Sequence, residues 1–210
     1  MTRIRLAAAA LVLASAGPLT AQGTSTQQPQ QQPRPPQGPR AMPSTRATVE
    51  VQLTHRQIGS QWFQTGAAGG PIRIAIDYGQ PHLRGRDLAT VVPLDSVWRL
   101  GANRATQLVT DVDMTLGDRF LTRGTYTLFA RRTSAGWQLV INRQIGQWGT
   151  EYDASADVGR VPLRVRTMGE TFESLAIFLV PSTDQAPMPR GVLRIVWGNT
   201  ELSTDWRVGS

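Results

Sequence analysis

The chain has 210 residues, 22 basic against 15 acidic side chains for a net charge of +7, and no cysteine. The missing thiols exclude cysteine nucleophiles, thiolate metal centres, iron–sulfur clusters and disulfide staples, and two histidines, His55 and His82, are too few for a three-histidine zinc site. Every basic residue is an arginine, yet the arginines are scattered, which reads as codon bias in a GC-rich genome rather than as a nucleic-acid-binding surface.

At the N-terminus, Arg3 and Arg5 precede a short apolar run at 6–16, and Leu19-Thr20-Ala21 offers a cleavage site before Gln22. This is the pattern of a secretory signal over residues 1–21. The run is too short for a membrane-spanning helix of about 20 apolar residues, and no cysteine follows it to carry a lipid. The expectation is export to the periplasm or the extracellular space with cleavage near Ala21; a mature N-terminus still at Met1 would contradict it. Residues 22–45 are Gln/Pro-rich without apolar periodicity and predict a disordered linker. The remainder, 46–210, is the size of one domain with a core of its own.

From Arg46 onward the dominant period is two. Strands are predicted at 47–53, then at Ile72, Ile74, Ile76 and Tyr78 alternating with Arg73, Ala75 and Asp77. The stretch 59–71, with Trp62 and Phe63 beside GAAGG, reads as a long exposed hairpin loop. One turn of helix is predicted over 94–100, after Pro93 and with Asp95 near its start. Further strands follow at 106–110 and 125–131, with Leu116-Gly117-Asp118 as a turn between them and Ser134-Ala135-Gly136 as a hairpin loop after them. Trp137, Leu139 and Ile141, then Val161, Leu163 and Val165, mark two more strands. The run 175–180, apolar at every position, predicts a central strand covered on both faces; Trp197-Gly198-Asn199 reads as a tight reversal between strands at 192–197 and 202–207. Many short strands and no sustained helical stripe predict an all-β fold: a single antiparallel β-sandwich, jelly-roll or immunoglobulin-like, with little helix.

Three blocks stand out by their density of glycine, proline, tryptophan and arginine: YGQPHLRGRDLATVVPLDSVWRLGANRAT at 78–106, NRQIGQWGTEYD at 142–153 and DVGRVPL at 157–163. In order and spacing they resemble the bacterial family called domain of unknown function 2911, over roughly 46–208. The resemblance implies a shared fold and a set of candidate positions, and it carries no activity. The inserted 59–71 region and the Gln/Pro-rich leader depart from the family pattern.

Three constellations bear on chemistry. A serine triad finds no G-x-S-x-G elbow; Ser96 and His82 form a conceivable pair, against which His82 reads as a loop residue after Pro81. The carboxylates Glu151, Asp153 and Asp157, and Asp111, Asp113 and Asp118, do not match a calcium-loop spacing, and their ordinary roles are capping, turns and pairing with Arg160 or Arg119, so no metal and no cofactor is expected. The third set is aromatic and planar-polar: Arg84, Arg86, Trp98, Arg99, Asn103, Trp148, Tyr152 and Asp153. Ring faces stack on sugars or peptides, and Arg forks and Asn amides bond hydroxyls and carboxylates in fixed directions. The competing reading is architectural, with Trp98 plugging one end of the sandwich and Arg99 satisfying carbonyls. The expectation is an exported module for a small polar ligand, a sugar or peptide, with neither nucleic acid nor membrane span as partner. The alternatives are a hydrolase-type envelope enzyme using the loop carboxylates and arginine, and a structural protein of the envelope.

Overall fold

The computed structural model describes residues 43–53, 55–58, 61–64, 72–184, 186 and 188–209. The signal peptide, nearly all of the linker and most of the 59–71 loop read from the sequence lie outside the described residues. In chain order the elements are β1 (Thr45–Leu53), β2 (His55–Ile58), β3 (Gln61–Gln64), β4 (Ile72–Gln80), α1 (Leu88–Val91), β5 (Val97–Trp98), β6 (Thr106–Thr110), β7 (Met114–Leu116), β8 (Arg119–Leu121), β9 (Gly124–Thr133), β10 (Gly136–Asn142), a 3-10 turn (Ala154–Ala156), β11 (Asp157–Pro181) and β12 (Arg190–Val208). Trp62 and Phe63 fall on β3, which pairs with β2 in a separate hairpin.

The protein is all-β. Ten strands join in one antiparallel sheet of order β1-β4-β6-β9-β10-β11-β12-β7-β8, with β5 added along β9. The sheet folds over on itself because its longest strand, β11, serves both halves. The first part of β11 pairs with β10 (Leu163 opposite Trp137), and the rest pairs with β12 (Arg164 opposite Ser203, onward to Pro181 opposite Gly191). Between the halves lies one core. Ile74, Ile76, Leu108, Leu128, Leu139 and Val161 from the first half meet Leu175, Ile177, Leu193, Ile195 and Trp206 from the second. These are the inward positions of the period-two pattern, and each such side chain taken from water stabilises the fold by roughly 1.5–3 kcal/mol.

The first half is also stitched to the second along the open side. The chain after β4 runs beside β11: Leu175 N–H donates to the Pro81 carbonyl and Leu83 N–H to the Glu173 carbonyl. The Tyr78 hydroxyl, inside the core, accepts from Ile177 N–H at 3.1 Å. Trp98 from β5 stacks on Trp197 at 5.3 Å and 15°.

Three local expectations are corrected. The helical turn lies at Leu88–Val91, where Asp87 accepts from Thr90 N–H at 2.7 Å and caps it; Asp95 instead has φ 60° and leads into β5. Trp197-Gly198-Asn199 does not reverse the chain. Gly198, at φ 62°, sits inside β12 opposite Phe172, where β11 carries extra residues between Thr167 and Ala176: a bulge and bend, which needs the same left-handed glycine as a turn. The strand through 175–180 is covered on one face only, since Phe178 is 39% and Val180 40% exposed.

Candidate functional site

The outer face of the first half carries a feature of register. Thr48 lies opposite Asp77, Asp77 opposite Gln107, Gln107 opposite Thr127, Thr127 opposite Asn142 and Asn142 opposite Asp157. Six strands thus contribute one polar residue each to a single row. Side chains directly opposed across a ladder are neighbours, so the row is a continuous polar band. Beside it lies a small apolar patch of Ala105, Phe129 and Val140, against which Val97 and Tyr152 pack.

Two chain segments roof this face, and apart from the turn at 154–156 both belong to the signature blocks. One is 99–105 and the other 143–156. Gly149 N–H donates to the Asn103 carbonyl at 2.9 Å, Ala105 N–H to the Gln147 carbonyl, and the Arg104 guanidinium to the Gly146 carbonyl at 3.2 Å. Gly149 is required by closeness: a Cβ there would stand 2.0 Å from Arg99 Cδ and 2.7 Å from the Asn103 carbonyl oxygen. Among the described residues the non-glycine left-handed conformations are Arg84, Asp95, Leu100 and Asn103, all in the first signature block. Such backbone is held only where its surroundings over-determine it.

The second roof segment is pinned from below by Asn142, which is wholly buried. Its amide donates to the Asp153 carbonyl at 2.8 Å and to Asp157 Oδ1 at 2.9 Å, and its Oδ1 accepts from Gln144 N–H at 2.8 Å. Asp157 also accepts from the Tyr152 hydroxyl at 2.7 Å and from Arg160 at 3.3 Å. Burial first, and the neighbouring Asp157 second, push the Tyr152 phenol above its ordinary value. Asp153 caps the 3-10 turn by accepting from Ser155 Oγ and Ser155 N–H, and these bonds hold its carboxyl below the usual range. Thr127 Oγ1 donates to the Gln144 carbonyl.

Where the row passes under the roof there is a cleft of about 260 Å³ lined by Arg46, Arg104, Ala105, Gln107, Gly146 and Gln147. Arg46 pairs with Asp77, whose other oxygen accepts from Thr48. Arg104 has no carboxylate partner among the described residues. Gln147 is only 8% exposed; its Nε2 makes one long bond of 3.4 Å to Thr127 Oγ1, and its Oε1 is buried without a partner. Exchanging the two ends of the amide does not help, since the Thr127 proton is already given to Gln144. One end of this amide therefore stays unbonded, at a cost of about 1–3 kcal/mol. Trp148, the next residue, is 49% exposed and opposes Arg104 across a lone bridge.

The residues singled out from sequence thus divide. Arg99, Asn103, Trp148, Tyr152 and Asp153 meet in the two roof segments. Arg84, Arg86 and Trp98 do not join them. Arg84 N–H donates to Glu173 Oε1 at 2.6 Å, and Arg86 folds back onto the Leu83 and His82 carbonyls. Trp98 faces the core against Trp197. His82 bonds Ser174 Oγ at 2.7 Å rather than Ser96, whose hydroxyl donates to the Pro93 carbonyl. Asp77, Gln107, Thr127, Asn142, Arg104 and Gln147 were not anticipated. Two further clefts open on the second half. One, of about 420 Å³, lies by Arg190, Asp205 and Trp206; the other, of about 410 Å³, by Arg166, Arg194 and Phe178. There Arg190 pairs with Asp184, and Arg166 and Arg194 both pair with Glu201, while Arg207 in the wall of the first has no carboxylate partner among the described residues. Among the described residues no group of three or more histidine, aspartate or glutamate side chains could hold a metal ion, and no helix is long and apolar enough to cross a membrane.

An antiparallel β fold whose signature loops roof a polar sheet face defines the class. The chain belongs to the family described as "Protein of unknown function (DUF2911)", whose model matches residues 61–205. That span contains every residue lining the outer-face cleft except Arg46. No curated protein and no solved structure matches the chain.

Proposed function

We propose that this protein is an exported binding module that holds a small polar ligand, a sugar or a short peptide, in the cleft under the signature loops. The observation that carries the reading is Gln147: a buried amide whose oxygen has no partner among the described residues, in the wall of a polar cleft, where an apolar side chain of similar size would cost the fold less. A volume of about 260 Å³ is near the lower limit of small-molecule sites and suits one sugar ring or a dipeptide. The exposed Trp148 beside it offers a ring face. An enzyme acting through Glu151, Asp153 or Asp157 draws less support. Asp153 is held ionised by Ser155, and the oxygens of Asp157 are occupied by Asn142, Tyr152 and Arg160. Export rests on the N-terminal signal pattern.

The test is calorimetric titration of the protein with monosaccharides and dipeptides, repeated on Gln147→Met and Trp148→Ala. Gln147→Met is expected to weaken binding about tenfold while leaving thermal stability equal or higher, the signature of a group retained for a ligand. The reading fails if no compound binds, or if every bound compound keeps its affinity in both variants.

A further inference from the structure

We propose that the ligand of this cleft is a hydroxylated carboxylate, such as a sugar acid, rather than a neutral sugar or an amine. The inference rests on the binding reading above and narrows it. Two features of the cleft are unsatisfied, and they are opposite in kind. The first is charge. Arg46 is neutralised by Asp77, so the positive charge left over in the lining is that of Arg104, whose guanidinium bonds only the Gly146 carbonyl among the described residues. A guanidinium with one N–H used keeps a planar edge free for an acceptor, and a carboxylate matches that edge with two parallel bonds. The second is an acceptor. Gln147 Oε1 is buried in the wall of the cleft with no partner among the described residues, and a ligand O–H or N–H satisfies it once the amide turns toward the cleft.

One molecule answers both if it carries an anionic group for Arg104 and a hydroxyl for Gln147. Gln107, on the floor, adds an amide that can both donate and accept. An ammonium or amine ligand would satisfy Gln147 but would be repelled by Arg104. A simple carboxylate would satisfy Arg104 and leave Gln147 as it is. A neutral sugar would leave the Arg104 charge unmatched. The polar row beneath supplies no carboxylate that opposes an anion freely, because Asp77 is held by Arg46 and Thr48, and Asp157 by Asn142, Tyr152 and Arg160.

The experiment titrates the intact protein with glucuronate, galacturonate, glucose, galactose, glucosamine and acetate at low and at physiological salt, and repeats the series on Arg104→Gln, Arg104→Lys and Gln147→Met. A uronate is expected to bind about tenfold tighter than its neutral hexose, a preference that shrinks as salt rises. Arg104→Gln is expected to erase that preference and Arg104→Lys to restore part of it. Gln147→Met is expected to weaken uronate and hexose alike while leaving acetate unchanged. Equal affinity for uronate and hexose, with no effect of Arg104→Gln, overturns the acidic class while leaving the cleft a binding site. Acetate binding as tightly as uronate overturns the requirement for a hydroxyl. Binding of none of the six, or binding insensitive to all three variants, overturns this proposal together with the reading on which it rests.

Discussion

If the 142–153 block builds the roof of the site, its keystone is Asn142, and truncating that side chain has a calculable cost. The amide makes three bonds of 2.8–2.9 Å, to the Asp153 carbonyl, to Asp157 and from Gln144 N–H. The residue is wholly buried, so water does not replace these bonds in place. Each neutral bond lost contributes roughly 1 kcal/mol net and the bond to the carboxylate more. Asp157 itself keeps Tyr152 and Arg160, which limits the damage. Asn142→Ala should therefore destabilise the protein by about 3–4 kcal/mol, a large part of a typical stability of about 5–15 kcal/mol. Asn142→Asp separates shape from chemistry. It preserves the acceptor for Gln144 but turns an acceptor toward Asp153 and Asp157, and it should cost at least as much as alanine at neutral pH. Urea unfolding gives the free energies, and hydrogen exchange at the Arg143 and Glu151 amides, both bonded within the roof, reports the loop directly. If Asn142→Asp is tolerated within about 1 kcal/mol, the donor does not hold the roof and the reasoning is wrong.

Gly149→Ala should cost about 1–3 kcal/mol: the Arg99 side chain can move from a new methyl group, but the Asn103 carbonyl 2.7 Å away is backbone. Equilibrium unfolding checks it, and a stability equal to wild type would show that the two roof segments separate freely. In the second half, the Glu201 carboxyl is held below its ordinary value of 4.5 chiefly by its hydrogen bond from Arg194, against the opposing effect of burial, with Arg166 helping. A lowered folded-state value means that this stabilisation is present above pH 4.5 and is lost as pH falls through the folded value. Glu201→Gln should accordingly be less stable than wild type at pH 7, with the gap closing in acid below pH 4.5; parallel melting curves at the two pH values test this, and a gap that widens in acid refutes it.

The fold was legible because period-two burial is a local signal. The strand read at 106–110 is the observed one, and the hairpin read at Ser134-Ala135-Gly136 joins β9 to β10 with Thr133 opposite Gly136. What failed depended on a partner strand. Gly198 offers a left-handed backbone whether the chain turns or bulges, and only the extra residues of β11 opposite it decide which. Phe178 and Val180 look like core by hydropathy, yet they stand on the face of the folded sheet turned away from the core. The same limit hid the site. Gln107, Thr127 and Asn142 each occupy the alternate, outward position of an unremarkable strand, and each alone reads as a solvated residue. Their alignment with Asp77 and Asp157 exists only through four successive registers.

The signature blocks were conspicuous for a different reason: they are strained and crowded. Gly79 and Gly149 allow backbone to approach where a Cβ would collide with the Ala102 and Asn103 carbonyls, and Asn103 and Leu100 hold left-handed conformations. Glycine, tryptophan and asparagine mark such places in a sequence because few other residues fit. A ligand-facing position is under a weaker geometric demand, so the residues we propose to meet a ligand, Gln107, Gln147 and Arg104, are chemically common and leave little trace. The two sets nevertheless depend on each other. Without the Gly149–Asn103 clasp and the Asn142 anchor, the polar row is an open sheet face whose groups bond water. With them, Gln147 is taken from water with its oxygen unbonded, and that withheld hydrogen bond is what the proposed ligand would regain. It follows that roof variants such as Gly149→Ala should lose affinity and stability together, whereas Gln147→Met should lose affinity alone. A Gln147→Met protein that loses both in proportion would make the amide part of the scaffold and leave the cleft without a claim to a ligand.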